Sequence, residues 1–537
     1  MKQSAWKKYG IYLLAASGII TALPLIFPVI GFLQWISIIP VACVIIAMAA
    51  DREIKLFRIY LAGLVFFESY FLVVFHWFIS MYPLEFTGIS KGAAIFVVAL
   101  AWIGVSLLEA CVYSLAVLAF AALSRMNFMK GIKAVLLMPF AAASLWTVFE
   151  WIQTLDWWGV PWGRLCLGQV NYNAFFASAS LLGSYFVTFC IVAVNFFAAC
   201  AVMTGTKKQT LCAVCALCVF LLNLSLGMVT VLSYEDSDKS IRVAAIQGNN
   251  PNSNIWDDNT IYDVLDVHER LTRDAARNGA DIVVWSETAF PFNFFKFDIL
   301  PERISSLAKE TGVTILVSAF TESEQSDILY VSIIEAKPDG SFGEVTYHKQ
   351  RLVPFGEFVP MRELIVKLIP PLGELKTLEE GIAAGIDSTV IYTDQAAVGA
   401  AICYDSIFEE ILRASVNNGA EILIVSTNDS WFGTSSALGM HNSQAVLRSV
   451  ELGRYIVRSA NTGISSIISP RGEVIQRLPA AVEGYVIDDV ALNTQKTVYT
   501  VVGNVFVYAC MAFCLVLAIV GGVDLMRASK PSDNKKL

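Results

Sequence analysis

Three side chains with reactive chemistry close apolar, β-like runs in the more polar stretch of this chain. Glu287 ends "DIVVWSE", Lys349 ends "EVTYHK" and Cys403 ends "VGAAIC". A thiolate is the reactive form of cysteine, and a thiol near its ordinary pKa needs a base or a cation beside it to attack a carbonyl. Glu287 could take the proton, and Lys349 could stabilise the thiolate and the oxyanion that follows. Of the eleven cysteines, ten lie in or beside long apolar runs, and Cys403 alone falls within roughly residues 235–500. A small buried hydrophobe is the ordinary use of such a residue. Its position beside a possible base and cation favours a nucleophile instead. His268, His348 and His441 are the rival bases in this region. His348 alternates with Lys349 and should point to the opposite face of its strand. His268 lies mid-helix in a charged stretch, whereas His441 opens a helix and could pair with Cys403.

The elements that must position these groups alternate between strand and helix. "IRVAAIQGN" (241–249), "DIVVWSE" (281–287), "VTILVSAF" (313–320), "AVGAAICYD" and "EILIVST" are apolar enough for buried strands, with helical patterns near 259–278, 301–311, 406–418 and 441–453. Further strands are expected around 455–478 and 484–490. Lys337-Pro338-Asp339-Gly340 is a turn signal that should join "LYVSIIEA" to "EVTYHKQ" as a hairpin. Such alternation implies sheets covered by helices, with active groups at strand C-termini.

The remainder of the chain has a different solvent. Of 537 residues, 56% are hydrophobic and 16% charged, and the net charge of −8 argues against a nucleic-acid partner. About 20 apolar residues suffice to cross a bilayer. Eight candidate spans follow: 11–29, 31–50, 57–79, 92–122, 132–152, 176–203, 211–232 and 503–526. Pro24 and Pro28 mark either a hairpin between the first two or a kink in one. No small-residue cleavage site is convincing after Lys2, Lys7 and Lys8, so the first segment reads as a retained helix. With the N-terminus inside, fifteen Lys and Arg fall in cytoplasmic segments and two, Lys91 and Arg164, in short outside loops. The positive-inside rule then puts the polar region outside the cytoplasm.

Longer stretches carry a resemblance. "VVWSETAFPF", "YHKQRLVPFGEFVP", "ICYDSIFEE" and "NDSWFG...HNSQAVLRSVELGRYIVRSANTGISSII", with "GVPWGRLCLGQ" (159–169), are similar to the apolipoprotein N-acyltransferase family. This is the membrane branch of the nitrilase (carbon–nitrogen hydrolase) superfamily, and the resemblance covers essentially the whole chain. It implies a multi-span helical membrane domain plus a nitrilase-like αββα sandwich. Residues 1–232 would hold seven helices, 233–502 the extracytoplasmic catalytic domain, 503–526 the eighth helix and 527–537 a cytoplasmic tail. It implies a bacterial inner-membrane enzyme that moves an acyl chain from a phospholipid to Cys403 as a thioester. The chain then passes to the N-terminal diacylglyceryl-cysteine of an apolipoprotein.

On this resemblance Glu287, Lys349 and Cys403 are the catalytic triad, helped by a backbone N–H near Tyr404. Glu357 in "PFGEF" orients Lys349 or the amine. Trp256 could hold a lid and Trp431 could wall the pocket. Position 405 departs from the family's glutamate: Asp405 keeps the charge but not the reach. "FPFNFFKF" (290–297) and "MRELIVKLIPPLGEL" (361–375) are expected to be apolar arms that meet lipid. Cys212-x-x-Cys215-x-x-Cys218 has metal-like spacing but lies inside an apolar span without a carboxylate or histidine nearby, so no metal and no cofactor are expected. Glu68, Glu109 and Glu150 lie in or near spans, and Glu150 could face a lipid headgroup. The rival readings are a membrane-tethered nitrilase-type amidase and a transporter with an external sensing domain.

Overall fold

In the computed structural model, residues 3–84, 90–250, 258–287, 290–323, 326–368 and 382–529 are described. The chain forms two compact units: Met1–His76 with Ala99–Leu232 and Val502–Leu537, and Trp77–Val98 with Ser233–Val501. The second unit thus combines Trp77–Val98 with the stretch that begins at Ser233.

Seven helices are long and apolar enough to cross a membrane among the described residues. They are Pro28–Ala50, Leu56–Val74, Lys91–Ser124, Gly131–Ile152, Ser184–Met203, Lys207–Ser233 and Val505–Asp524. The expected first span lies on helix Gln3–Ile26, whose apolar part, Gly10–Ile26, is shorter. That helix ends before a 3-10 turn at Pro28–Leu33, so the proline pair separates two helices rather than kinking one. It packs along Leu56–Val74, and a Cβ at Gly18 would sit 2.3 Å from the Phe66 carbonyl oxygen, a separation only glycine permits. The expected span 176–203 is likewise interrupted. Short helices Asn173–Phe176 and Ala179–Leu182 end at Gly183, whose φ of 80° breaks the helix before Ser184–Met203 begins.

Buried carboxylates in the first unit hold irregular backbone. Glu109 accepts hydrogen bonds from Gln153 Nε2 (2.6 Å) and the Val160 N–H (2.9 Å). Glu150 accepts from Thr188 Oγ1 (2.7 Å) and the Leu165 N–H (3.2 Å). Val160 and Leu165 belong to "GVPWGRLCLGQ", so both carboxylates satisfy N–H groups that no helix would satisfy. Glu150 is fully buried against these partners. Gln169, the last residue of the motif, is tied to Gly31 O and Gln34 Oε1, each at 2.8 Å. The three spaced cysteines lie on helix Thr206–Ser233 and face different surroundings, Cys212 buried beside Cys200 and Cys218 exposed.

The second unit carries thirteen strands among its described residues: β1 (Ser240–Gln247), β2 (Ile282–Val284), β3 (Phe290–Asn293), β4 (Thr314–Ser323), β5 (Ser326–Ala336), β6 (Tyr347–His348), β7 (Val390–Tyr392), β8 (Ala397–Ile402), β9 (Ile422–Thr427), β10 (Ile456–Ala460), β11 (Ser465–Ile468), β12 (Val474–Leu478) and β13 (Gly484–Ala491). They form two sheets, ordered β13-β1-β2-β4-β5-β6 with β3 on β4, and β12-β11-β10-β9-β8-β7. Central strands β1-β2-β4 and β8-β9-β10 run parallel, which explains why their sequences are continuous apolar runs rather than alternating ones. Strands β1 and β10 pack on one another across the two sheets. Helices Asp258–Arg277 and Ile299–Thr311 cover the outer face of the first sheet through Val264, Leu265, Leu271, Ile304 and Leu307. Helices Glu409–Asn417 and Ala437–Leu452 pack on the second. The result is the α/β sandwich of nitrilase type.

Two apolar stretches differ from the arms expected of them. Phe290–Asn293 is strand β3, and Phe294 is fully buried in the core with Phe342; Phe295 remains exposed. Arg362–Leu368 is a short helix bearing an exposed Leu364, preceded by exposed Met361, and the rest of 361–375 lies outside the described residues.

Candidate active site

Each of the three reactive residues follows a strand end. The Trp285 N–H bonds Leu316 O at 2.9 Å, extending the β2–β4 ladder almost to Glu287. The Lys349 N–H bonds Val331 O at 2.8 Å, extending β5–β6 in the same way. Cys403 follows β8 and opens the 3-10 turn Cys403–Ile407. Its φ of 50° lies in the left-handed region, a conformation that costs a non-glycine residue about 1–3 kcal/mol and needs outside support.

The side chains converge. Lys349 Nζ donates to Glu287 Oε1 at 2.7 Å and to Glu357 Oε1 at 2.6 Å. Glu287 Oε2 accepts from the Asn428 N–H at 2.9 Å, and Glu357 Oε2 from the Val353 N–H at 2.8 Å. Cys403 lies close enough for the Glu287 and Lys349 charges to act on its thiol. Glu287 and Lys349 are almost wholly buried. Burial pushes the Glu287 carboxyl above its ordinary range and the nearby Glu357 adds to this, while Lys349 opposes it. Burial acts against the Lys349 ammonium, but the two carboxylates more than offset it and hold the amine protonated. Burial and the Glu287 charge push the Cys403 thiol well up, against Lys349. At rest the site is therefore a neutral thiol beside a carboxylate made more basic than usual, with a fixed cation between two acids. Such an arrangement activates sulfur by moving its proton during attack rather than by storing a thiolate.

Asp405, one atom shorter than the family's glutamate, reaches four donors. It accepts from Tyr347 Oη (2.7 Å) and from the N–H groups of Gln350 (3.1 Å), Arg351 (2.7 Å) and Ile402 (3.1 Å). Burial raises its pKa to about 6. The carboxylate thus binds the backbone just after Lys349 to the backbone just before Cys403.

Tyr404 packs edge-on against Phe408, with ring centroids 5.0 Å apart. Trp431 lies on the 3-10 turn Ser430–Phe432 and is 36% exposed, so it is not core packing. Trp256 lies outside the described residues. His348 Nδ1 pairs with Ser332 Oγ at 2.7 Å, on the face away from Lys349. His268, read from sequence as part of a charged stretch, is fully buried beside Trp285, and burial lowers its pKa to about 4. His441 meets the Cys403 carbonyl, not its sulfur, with Nε2 3.3 Å from that oxygen. Asp429, two residues beyond β9, and Arg458 on β10 also lie beside Cys403 and were not expected at the site. Asp429 followed the same strand-end rule that singled out Glu287, Lys349 and Cys403. Among the described residues, no cluster of three His, Cys, Asp or Glu side chains is arranged to hold a metal ion.

A two-sheet α/β sandwich covered by helices is the fold the second unit shares with the carbon–nitrogen hydrolases. The carbon-nitrogen hydrolase family matches residues 242–499, and the apolipoprotein N-acyltransferase N-terminal domain matches residues 17–197. Apolipoprotein N-acyltransferases from Gloeobacter violaceus and Geobacter metallireducens are 28% and 29% identical. The first alignment covers 95% of this chain and 94% of that protein, the second 94% of each. Among solved structures, an amidase of the nitrilase superfamily from Nesterenkonia AN1 is 17% identical. It covers 51% of this chain and 99% of its own, with a TM-score of 0.38. The chain belongs to the apolipoprotein N-acyltransferase family, the membrane branch of the carbon–nitrogen hydrolases.

Proposed function

We propose that this protein is a phospholipid-dependent acyltransferase that completes bacterial lipoproteins by N-acylating their N-terminal diacylglyceryl-cysteine. The observation that carries this reading is the convergence of Cys403, Glu287 and Lys349 in a chain whose relatives align along nearly its whole length. In the first half-reaction Cys403 Sγ attacks the ester carbonyl of a membrane phospholipid while Glu287 takes the thiol proton. The tetrahedral oxyanion is met by Lys349 Nζ and the Tyr404 N–H. Collapse breaks the acyl C–O bond, and Glu287 returns the proton to the departing lysophospholipid, leaving a thioester. In the second half-reaction the lipoprotein α-amine attacks that thioester, Glu287 removes its proton, and Cys403 leaves as the thiol. A thiolate leaves readily from sulfur, so the stored acyl group can become an amide. Glu357 holds Lys349 in place throughout. The match of 17–197 to the apolipoprotein N-acyltransferase N-terminal domain, with its long apolar helices, supports substrates that are both held in the membrane.

The direct test incubates the purified protein with phospholipid labelled in one acyl chain. Hydroxylamine-labile label on Cys403, discharged by a diacylglyceryl-cysteine peptide to give labelled amide, is expected. Release of free labelled fatty acid without amide would mark a membrane amidase instead, and no label on the protein would refute the mechanism.

The basic-residue asymmetry supports placing the domain at 233–502 outside the cytoplasm, with eight crossings in all. A reporter inserted after Asp339 should read as extracytoplasmic, and one after Lys208 as cytoplasmic. A cytoplasmic signal at Asp339 would invert this topology.

A further inference from the structure

Behind the Cys403 turn lies a buried cluster that the reaction above does not use. Asp429 and Arg458 are fully buried and His441 is nearly so. Arg458 Nη2 donates to Asp429 Oδ2 at 2.7 Å, and His441 Nδ1 lies 2.8 Å from Asp429 Oδ1. The far nitrogen of the ring, Nε2, lies 3.3 Å from the Cys403 carbonyl oxygen and 3.3 Å from Ser406 Oγ. Ser406 Oγ itself donates to that carbonyl at 2.7 Å. A carbonyl can only accept, so His441 presents an N–H at Nε2. The cluster therefore runs in one line from Arg458 through Asp429 and the imidazole to a single backbone oxygen.

We infer that His441 and Ser406 are positioning residues that hold the Cys403–Tyr404 peptide plane so that the Tyr404 N–H serves as an oxyanion donor. The argument rests on the acyl-transfer reading and on peptide geometry. In a trans peptide the C=O and the following N–H point in opposite directions. Drawing the Cys403 carbonyl towards helix Ala437–Leu452 turns the Tyr404 N–H away from that helix. Cys403 has a φ of 50°, which a cysteine does not keep without restraint, so the plane would relax if its carbonyl were released. Asp429 Oδ1 and Arg458 Nη2 both reach Nδ1, at 2.8 and 3.1 Å, and fix the orientation of the ring. The ring handles no substrate proton. It aims a dipole. That role accounts for a buried histidine whose ring meets the carbonyl of the nucleophilic residue.

The test compares two reactions of the same thiol. Acylation by phospholipid passes through an oxyanion, whereas alkylation by iodoacetamide displaces iodide and forms none. His441→Ala should slow thioester formation by about 10- to 100-fold, below the full effect of deleting an oxyanion donor. Its alkylation rate should stay within about twofold of wild type. His441→Gln, whose amide can put an N–H near the Nε2 position, should recover most of the loss. Ser406→Ala, a smaller change, should slow acylation about threefold to tenfold and again spare alkylation. Equal losses in both reactions would make the cluster merely structural. Unchanged acylation in His441→Ala and Ser406→Ala would overturn the inference. If the wild-type protein forms no thioester at all, it is the acyl-transfer reading that fails, independently of these ratios.

Discussion

Cys403→Ser is expected to yield neither covalent acyl-enzyme nor N-acylated product, a loss of about 10³-fold or more. The site raises the thiol pKa by burial and relies on Glu287 to remove the proton as sulfur attacks. A hydroxyl is several pKa units less acidic still, and Glu287 is too weak a base to take its proton. Even if a serine ester formed, an alkoxide leaves far less readily than a thiolate, so discharge to an amine would stall. Cys403→Ala should behave alike. Labelled phospholipid followed by precipitation and hydroxylamine treatment reads the first step, and amide formation on a diacylglyceryl-cysteine peptide reads the second. Near-normal amide formation by either variant would remove Cys403 from the mechanism.

Lys349→Met should damage stability and turnover together. Its ammonium lies between Glu287 and Glu357, with side-chain exposures of 1%, 5% and 19% for the three groups. Removing one partner of a buried ion pair costs about 3–5 kcal/mol, because the remaining charge is left uncompensated. The sign with pH follows. Without the cation, the folded-state pKa of Glu287 rises further above its unfolded value, so folding takes up protons. The deficit is therefore largest at pH 8 and shrinks as the pH falls through that raised pKa. A denaturation midpoint that recovers towards wild type between pH 8 and pH 5 is expected. So is an acylation rate lower by about 10²- to 10³-fold at neutral pH, from loss of the oxyanion cation. Glu287→Gln separates the two effects. It keeps an acceptor for Lys349 but cannot also accept from the Asn428 N–H, and Glu357 still pairs the lysine, so its midpoint should fall less than that of Lys349→Met while acylation falls about 10²- to 10⁴-fold. A Lys349→Met protein as stable as wild type at pH 8 would show that the carboxylates do not depend on the lysine.

Much of this was legible in the residues, and the reason is physical. Parallel strands buried on both faces read as continuous apolar runs, so β1, β2, β4, β8 and β9 and the reactive residues beyond them stood out. Strand β3 did not, because five phenylalanines in eight residues look the same whether they meet lipid or a protein core. Only the burial of Phe294 against Phe342 separates the cases. Trp77–Val98, expected among the membrane spans, groups with the second unit. Trp77 is apolar as a span would be, yet it packs edge-on against Phe432 at 5.0 Å, a contact far too distant in sequence for any local pattern to register. Asp405 was doubted because one sequence shows a side chain's length but not the distance it must cover. The positive φ of Cys403 left no trace in composition.

The three reacting groups are contributed by different layers of the sandwich. Glu287 and Lys349 belong to the first sheet and Cys403 to the second. The catalytic distances are therefore set by how far one sheet can shear past the other. A slide of one residue, about 3.3 Å along a strand, would part sulfur from its base without breaking a single ladder bond. Several bonds resist that slide: Ser426 Oγ to Trp285 O at 2.8 Å, Ser459 Oγ to Ile246 O at 2.6 Å, and Asp405 reaching the Gln350 and Arg351 N–H groups. Each joins a side chain of the second sheet or its turn to the backbone of the first. They work as dowels through a laminate, and the rigidity of the seam, more than that of either sheet, sets how exactly the thiol meets its carboxylate.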